Sequence, residues 1–225
     1  MRRAWTLLLF ALALPALAAE PFRVFSNIFS VGVSDATVFV VGTPKGLVLL
    51  DTGAASEYDK IRDNIKKLGF DYYDIRIILL SHADREHAGN VARIHRETGA
   101  RLMVAENEIP LLAKGDGFAP TAVDQPLRDG DRVTIGGLLF LPHIAAGCTH
   151  WTTQVRWERK AFDVVFVGCR PANMELLRSL KPDVFLGARG SYFDLERKYA
   201  KRAAKPNPFI DPEGYRKFVD ESPRR

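Results

Sequence analysis

Four segments between residues 22 and 51, FRVFS, NIFSVG, ATVFVVG and GLVLLD, are dense in Val, Phe and Leu and predict short β-strands. Thr43-Pro44-Lys45-Gly46 separates the last two, with proline second and glycine fourth, as a tight type I reversal requires. The period then changes. Tyr58, Ile61, Ile65 and Leu68 recur at steps of three and four, an apolar stripe on one face of a helix, and Gly69 supplies its stop. IRIILL is a strand apolar on both faces, ending at Ser81. The segment after His87 reads as a helix to Gly99, and RLMVA as the next strand.

The second half repeats this alternation. Asp129-Gly130-Asp131 marks a turn, RVTIGGLLFLP a Gly-Gly hairpin, and segments 151–157 and 163–168 two further strands. A helix from Ala172 to Leu180 precedes the strand DVFLG, another follows from Phe193, and a last one opens at Asp211 as N-cap with Pro212 in its first turn. Two runs of strands, each closed by helices, predict two sheets packed face to face with helices outside.

The start of the chain stands apart from this pattern. Met1-Arg2-Arg3 is positively charged, AWTLLLFALALPALA is apolar but too short for a stable membrane anchor, and Ala16-Leu17-Ala18 places small residues where a signal peptidase reads. Residues 1–18 are therefore expected to be a cleaved export signal. That leaves 19–225 as a single domain, exported across the inner membrane to a bacterial periplasm. The formal charge of +5 falls to +3 without Arg2 and Arg3 and is spread along the chain, which excludes a nucleic-acid groove. Cys148 and Cys169 lie near the ends of the two apolar segments 151–157 and 163–168. Sequence spacing leaves open whether they are bridged or are two buried thiols.

Reactive groups concentrate where buried strands give way to loops, because the scaffold holds them rigidly there. Four such places carry candidates: Asp51-Thr52-Gly53, the stretch SHADREHAG from Ser81 to Gly89, the loop from Pro142 to Thr149, and Arg189 just past DVFLG.

Together with NIFSVG, LLDTG, IRDNIKKLGF, LRDGDRVTIGG, GCTHWT, VVFVG, DVFLGARGSYF and NPFIDPEGY, these stretches resemble the metallo-β-lactamase superfamily, most closely the third subclass of class B β-lactamases. The resemblance implies an α/β (α+β) fold, a four-layer αββα sandwich of two mixed β-sheets with helices on the outer faces. It also implies a two-zinc cleft at one edge of the sheets. In the family pattern H-x-H-x-D-H, His82 and His87 fill the first and last places, Asp84 replaces the second histidine, and Glu86 replaces the aspartate. The third-region ligand falls on Ile144, with His143 displaced by one residue, and the final ligand histidine is Arg189. Asp51 corresponds to the residue that braces the metal loop. The connection between VVFVG and DVFLG is also shorter than in relatives.

An isoleucine has no lone pair to offer, and a guanidinium only donates. The resemblance then implies a degenerate site with room for at most one zinc ion or for none. His82, Asp84, Glu86 and His87 are the candidate ligands, and Asp84 and Glu86 the candidate catalytic acid–base groups. Oxygen-rich donors would also suit manganese or iron. Arg189, paired with Asp84 and Glu86, would take over electrostatically from the metals. Two readings follow: an exported protein of the family with an eroded di-zinc site, inactive or weakly active on β-lactams and able to bind a small molecule, or a one-metal hydrolase of β-lactam-like amide or ester rings. Nothing in the sequence sets the oligomeric state.

Overall fold

The computed structural model describes residues 20–221 apart from 33, 146, 172 and 173; the expected export signal lies outside the described residues. Its strands fall into two sheets. β1 (Phe22–Phe25), β2 (Ile28–Ser30), β3 (Phe39–Thr43), β4 (Gly46–Leu50), β5 (Ile75–Leu79), β6 (Arg101–Ala105) and β7 (Gln125–Leu127) lie side by side in chain order. β1 to β4 pair antiparallel, and β4 to β7 parallel. The second sheet contains β8 (Val133–Ile135), β9 (Leu138–Ala145), β10 (Cys148–Trp157), β11 (Lys160–Val167) and β12 (Val184–Gly187), in the order β12-β11-β10-β9-β8. Here only the β11–β12 pair is parallel.

Parallel neighbours need crossovers, and helices supply them. α1 (Tyr58–Lys67) joins β4 to β5, α2 (Val91–Thr98) joins β5 to β6, and α3 (Ile109–Lys114) lies between β6 and β7. Ile61 and Ile65 are the buried stripe of α1, and Gly69 beyond its end takes a φ of 85° that a side chain would resist. The two-residue period of the strands splits their side chains between two cores. Val48, Leu50, Ile77 and Leu79 point into the space between the sheets, whereas Leu47, Leu49 and Ile78 pack under α1 and α2. Each fully buried side chain of this size contributes roughly 1.5–3 kcal/mol.

On the opposite side, α4 (Glu175–Ser179), α5 (Leu195–Ala200) and α6 (Pro212–Asp220) complete the fourth layer, with Phe185, Phe193, Phe209 and Tyr215 beneath. That layer is thin. A groove of about 810 Å³, lined by Leu139, Leu141, His143, Thr152 and Leu180, stays open over the outer face of the second sheet. Asp211 caps α6 by accepting from Gly214 N at 2.8 Å, as the sequence predicts.

Several boundaries differ from expectation. The helix expected from Ala172 begins at Glu175, with Ala172 and Asn173 outside the described residues. The helix expected from Phe193 starts at Leu195, after a 3-10 turn at Gly190–Tyr192. The expected loop from Pro142 to Thr149 is instead the end of a hairpin: β9 and β10 pair as far as Ala145 and Cys148, and Gly147 turns at a φ of 83°. Strand β7 was not foreseen because Pro126 breaks its pattern; it is an edge strand, where a missing N–H is tolerated.

Candidate metal centre

The ends of β4, β5, β11 and β12 and the start of β10 meet at one edge of the sandwich. The sheets are tied there by Thr149 N donating to Ser81 O at 2.9 Å and by Trp151 Nε1 donating to Leu80 O at 3.1 Å. Asp51, first residue past β4, is fully buried with a φ of 60°, a conformation few residues with a side chain adopt. Its two oxygens accept from Ser81 N and Ser81 Oγ, each at 2.6 Å. Burial pushes this carboxyl up to about 6, against the pull of His87 and the Ser81 bonds. Asp51 thus braces the loop that Ser81 opens.

The same loop is pinned at three more points. Thr52 N donates to His87 O at 2.7 Å, and the Asn90 amide bonds Thr52 O at 2.8 Å and Ala54 O at 2.7 Å. The carboxylate of the buried Glu108 accepts from Ala83 N at 2.7 Å. A Cβ at Gly89 would lie 2.7 Å from both Arg85 O and Gly53 O, so only glycine fits this crossing.

Within the loop the acidic residues separate. Asp84 Oδ1 accepts from Glu86 N and His87 N, both at 2.9 Å, and contacts His87 Nδ1 at 2.8 Å. Burial works against its charge, but the His87 contacts hold Asp84 below the usual carboxylate range, and the same pair raises His87 despite burial. His87 is 2% exposed, and its Nε2 has no hydrogen-bond partner among the described residues. His82 stacks near it, ring centroids 5.0 Å apart, with its Nδ1 3.3 Å from Ser81 Oγ. Burial, then the neighbouring His87, pushes His82 down to about 4, so its imidazole is neutral at pH 7.

Glu86 turns the other way. Its carboxylate bonds the Arg189 guanidinium, whose other nitrogen lies 3.6 Å from Asp35 Oδ2. Arg189 therefore bridges Glu86 and Asp35, not Glu86 and Asp84. Asp35 is itself held by Gly190 N, which donates to its carbonyl at 2.8 Å, and by Ser191 N, which donates to its carboxylate at 2.8 Å. Asp35 and Glu108 are the site residues that sequence reasoning did not single out; neither sits in a motif or an apolar period.

The remaining histidines lie elsewhere. His143 Nε2 meets Thr152 Oγ1 at 2.8 Å on the wall of the outer groove. His150, fully buried, accepts from Gly168 N at 3.0 Å, and His95 pairs with Asp124 at 2.7 Å. Ile144 sits on β9, its N–H donating to Asp129 Oδ1 at 2.7 Å. Cys148 and Cys169 form a disulfide, with Cα atoms 6.0 Å apart.

The arrangement has a recognisable class. A profile of the metallo-beta-lactamase superfamily matches residues 31–202, and the chain belongs to that family. Among solved structures it is similar to BJP-1, a subclass B3 metallo-β-lactamase of Bradyrhizobium japonicum: 31% identity, TM-score 0.86, covering 92% of this chain and 93% of that one. FEZ-1, the metallo-β-lactamase of Legionella gormanii, matches at 29% identity and TM-score 0.86, over 90% and 92% of the two chains. The Cronobacter sakazakii enzyme, described by a HARLDQ motif, matches at 26% identity and TM-score 0.84, over 90% and 94%. A curated relative, flavo-diiron protein FprA2 of Clostridium acetobutylicum, is 25% identical over 65% of this chain. The match spans only 42% of that relative's length.

The family usually binds zinc. A two-ion centre would draw on positions that are otherwise engaged or carry no donor atom. Asp84 is committed to the loop backbone and His87, Glu86 to a guanidinium, and Ile144 offers no donor. Among the described residues, the one group of three His, Cys, Asp or Glu donors within 4.8 Å of one another is His82, Cys148 and Cys169. It contains only one of the four loop candidates.

Proposed function

We propose that this chain is an exported metallo-β-lactamase-fold protein whose di-zinc site is eroded, inactive or nearly so on β-lactams and persisting as a binding or vestigial protein. The observation that carries this reading is the Arg189 guanidinium, bonded to Glu86 and beside Asp35 where the family resemblance expects a metal-binding histidine. Two unit charges ~4 Å apart interact by about 4 kcal/mol at an effective dielectric near 20, and a divalent ion doubles that repulsion. The cation slot of the cleft is then occupied by the chain itself. His87 Nε2 is buried and has no hydrogen-bond partner among the described residues. Export rests on the signal pattern of residues 1–18; among the described residues no helix is long and apolar enough to cross a membrane.

The same unpartnered Nε2, with the His82 ring 5.0 Å away, is the observation that favours a one-metal hydrolase. Two imidazoles fall short of the three protein ligands that a catalytic zinc usually needs. Elemental analysis of the purified chain with its disulfide intact, run alongside hydrolysis of a chromogenic cephalosporin, separates the two readings. The expected result is well under one zinc per chain and no chelator-sensitive turnover. About one zinc per chain, with turnover abolished by His87→Ala, would establish the hydrolase instead.

A further inference from the structure

The disulfide lies where a different metal site can form. β10 and β11 pair antiparallel with Trp151 opposite Phe166 and Thr152 opposite Val165. Continued by three residues, that register sets Cys148 opposite Cys169. The two strands stay close beyond their paired length: a Cβ at Gly168 would collide with Thr149 O, so glycine is required one step before Cys169. Thr149 N also bonds Ser81 O at 2.9 Å, which brings the start of β10 against the residue preceding His82. Three separate segments thus deliver one imidazole and two sulfurs to a single place, with all three donor atoms within 4.8 Å of one another. Neither cysteine is among the six ligand positions that the family resemblance implies.

We propose that reduction of the Cys148–Cys169 disulfide converts this cluster into a binding site for a single thiophilic cation of the zinc class, held by both thiolates and the His82 imidazole. As a disulfide, the sulfurs carry no thiolate and cannot serve as such ligands. A dithiol reductant supplies the two electrons. One of its thiolates attacks a cysteine sulfur and breaks the S–S bond, its second thiol resolves the mixed disulfide, and the products are the cyclic disulfide of the reductant and two cysteine thiols. Binding of M²⁺ then releases the two thiol protons to solvent.

The geometry suits the change. Tetrahedral zinc with metal–sulfur bonds of about 2.3 Å needs its two sulfurs roughly 3.7 Å apart. Cα atoms 6.0 Å apart can provide this by rotating the side chains alone. Two thiolates and one imidazole make three protein ligands, leaving a fourth position for water or a ligand atom. Cys148 is fully buried, and Cys169 and His82 are half-buried. The softness of the donors selects zinc, cadmium, cobalt or cuprous ions over magnesium or calcium.

The test compares the intact chain with the same chain reduced by a dithiol and freed of reductant under anaerobic conditions. Each is dialysed to equilibrium against zinc, and in parallel against cobalt(II), whose thiolate charge-transfer band reports sulfur ligation directly. The reduced chain is expected to bind about one ion with that band, and the oxidised chain to show none. Cys148→Ser and Cys169→Ser should each abolish the band, and His82→Ala should weaken binding by roughly tenfold or more. His143→Ala, altered on the outer groove, should leave it unchanged. If a cysteine variant fails to fold, alkylation of the reduced wild-type chain, checked for unchanged circular dichroism, must remove binding. A reduced, folded chain without the band overturns the proposal, as does zinc binding that survives alkylation. Zinc on the oxidised chain would instead count against the eroded-site reading, so failures of the two readings are distinguishable.

Discussion

Two cations shortly past the end of β12, Arg189 and Lys198, form ion pairs that sit in opposite surroundings. Arg189 reaches Glu86 at the rim of the cleft, where the two side chains are 35% and 46% exposed. Lys198, on α5, meets Asp211 at 2.8 Å with only 2% of its side chain exposed. The rings of Phe185, Phe193 and Phe209 surround its ammonium at 5.4, 5.6 and 5.8 Å. Water screens the first pair, and such pairs contribute about 0.2–1 kcal/mol to stability. The second is enclosed, so loss of Asp211 would strand the ammonium in an apolar box, and loss of Lys198 would leave a 23%-exposed carboxylate without its cation. The same chemistry thus serves different ends. The enclosed pair joins α5 to the cap of α6, while the rim pair chiefly sets the charge of the cleft.

The sharpest way to break the comparison is Lys198→Met, which keeps the apolar stem and removes the charge. Removing one partner of a buried pair costs roughly 3–5 kcal/mol, and the partial exposure of Asp211 points to about 3. Denaturant unfolding at neutral pH measures it. A loss below about 1 kcal/mol would place both pairs in the weak class.

The acid limb adds a smaller, signed effect. Burial alone would raise the Asp211 carboxyl, but the Lys198 ammonium and the Gly214 N–H hold it below its ordinary 3.8. A folded-state value below the unfolded one gives stability that is full above pH 3.8 and lost as the pH falls through the folded value. Lys198→Met removes the main cause of that depression. The stability gap between wild type and variant should therefore narrow as the pH drops below 3.8, and a gap constant down to pH 2 would contradict the assignment.

This contrast also marks what the sequence could reveal. The stripe of Tyr58, Ile61 and Ile65, the Gly-Gly hairpin and the Asp211 cap are local patterns, each visible within a few residues, and each stands where its period places it. Arg189 and Glu86 are 103 residues apart, and their contact could be expected only because a family pattern ties both positions to one cleft. Asp35 has no such pattern, and its role depends on an isolated bridge between Ala36 and Arg189 that brings the two segments together. Asp84 was expected to share the Arg189 guanidinium with Glu86; the turn that aims its oxygen at His87 N gives it to the histidine instead. The cysteines were open for a similar reason. Their pairing depends on a Cα separation that follows from strand register, not from their sequence separation of 21.

The rim pair is where the smallest effect is expected and where it teaches most. Arg189→Met should change unfolding free energy by less than about 1 kcal/mol, because Glu86 and Asp35 regain water when the guanidinium leaves. Whatever cost remains should shrink in 1 M salt, where the screening length falls to about 3 Å. The cost of Lys198→Met should persist there, since ions do not enter its aromatic enclosure. Denaturant titrations of both variants at low and high salt make the comparison directly. A large, salt-insensitive loss for Arg189→Met would mean that the guanidinium is a structural pillar of the cleft, and that its presence there reflects folding before it reflects chemistry.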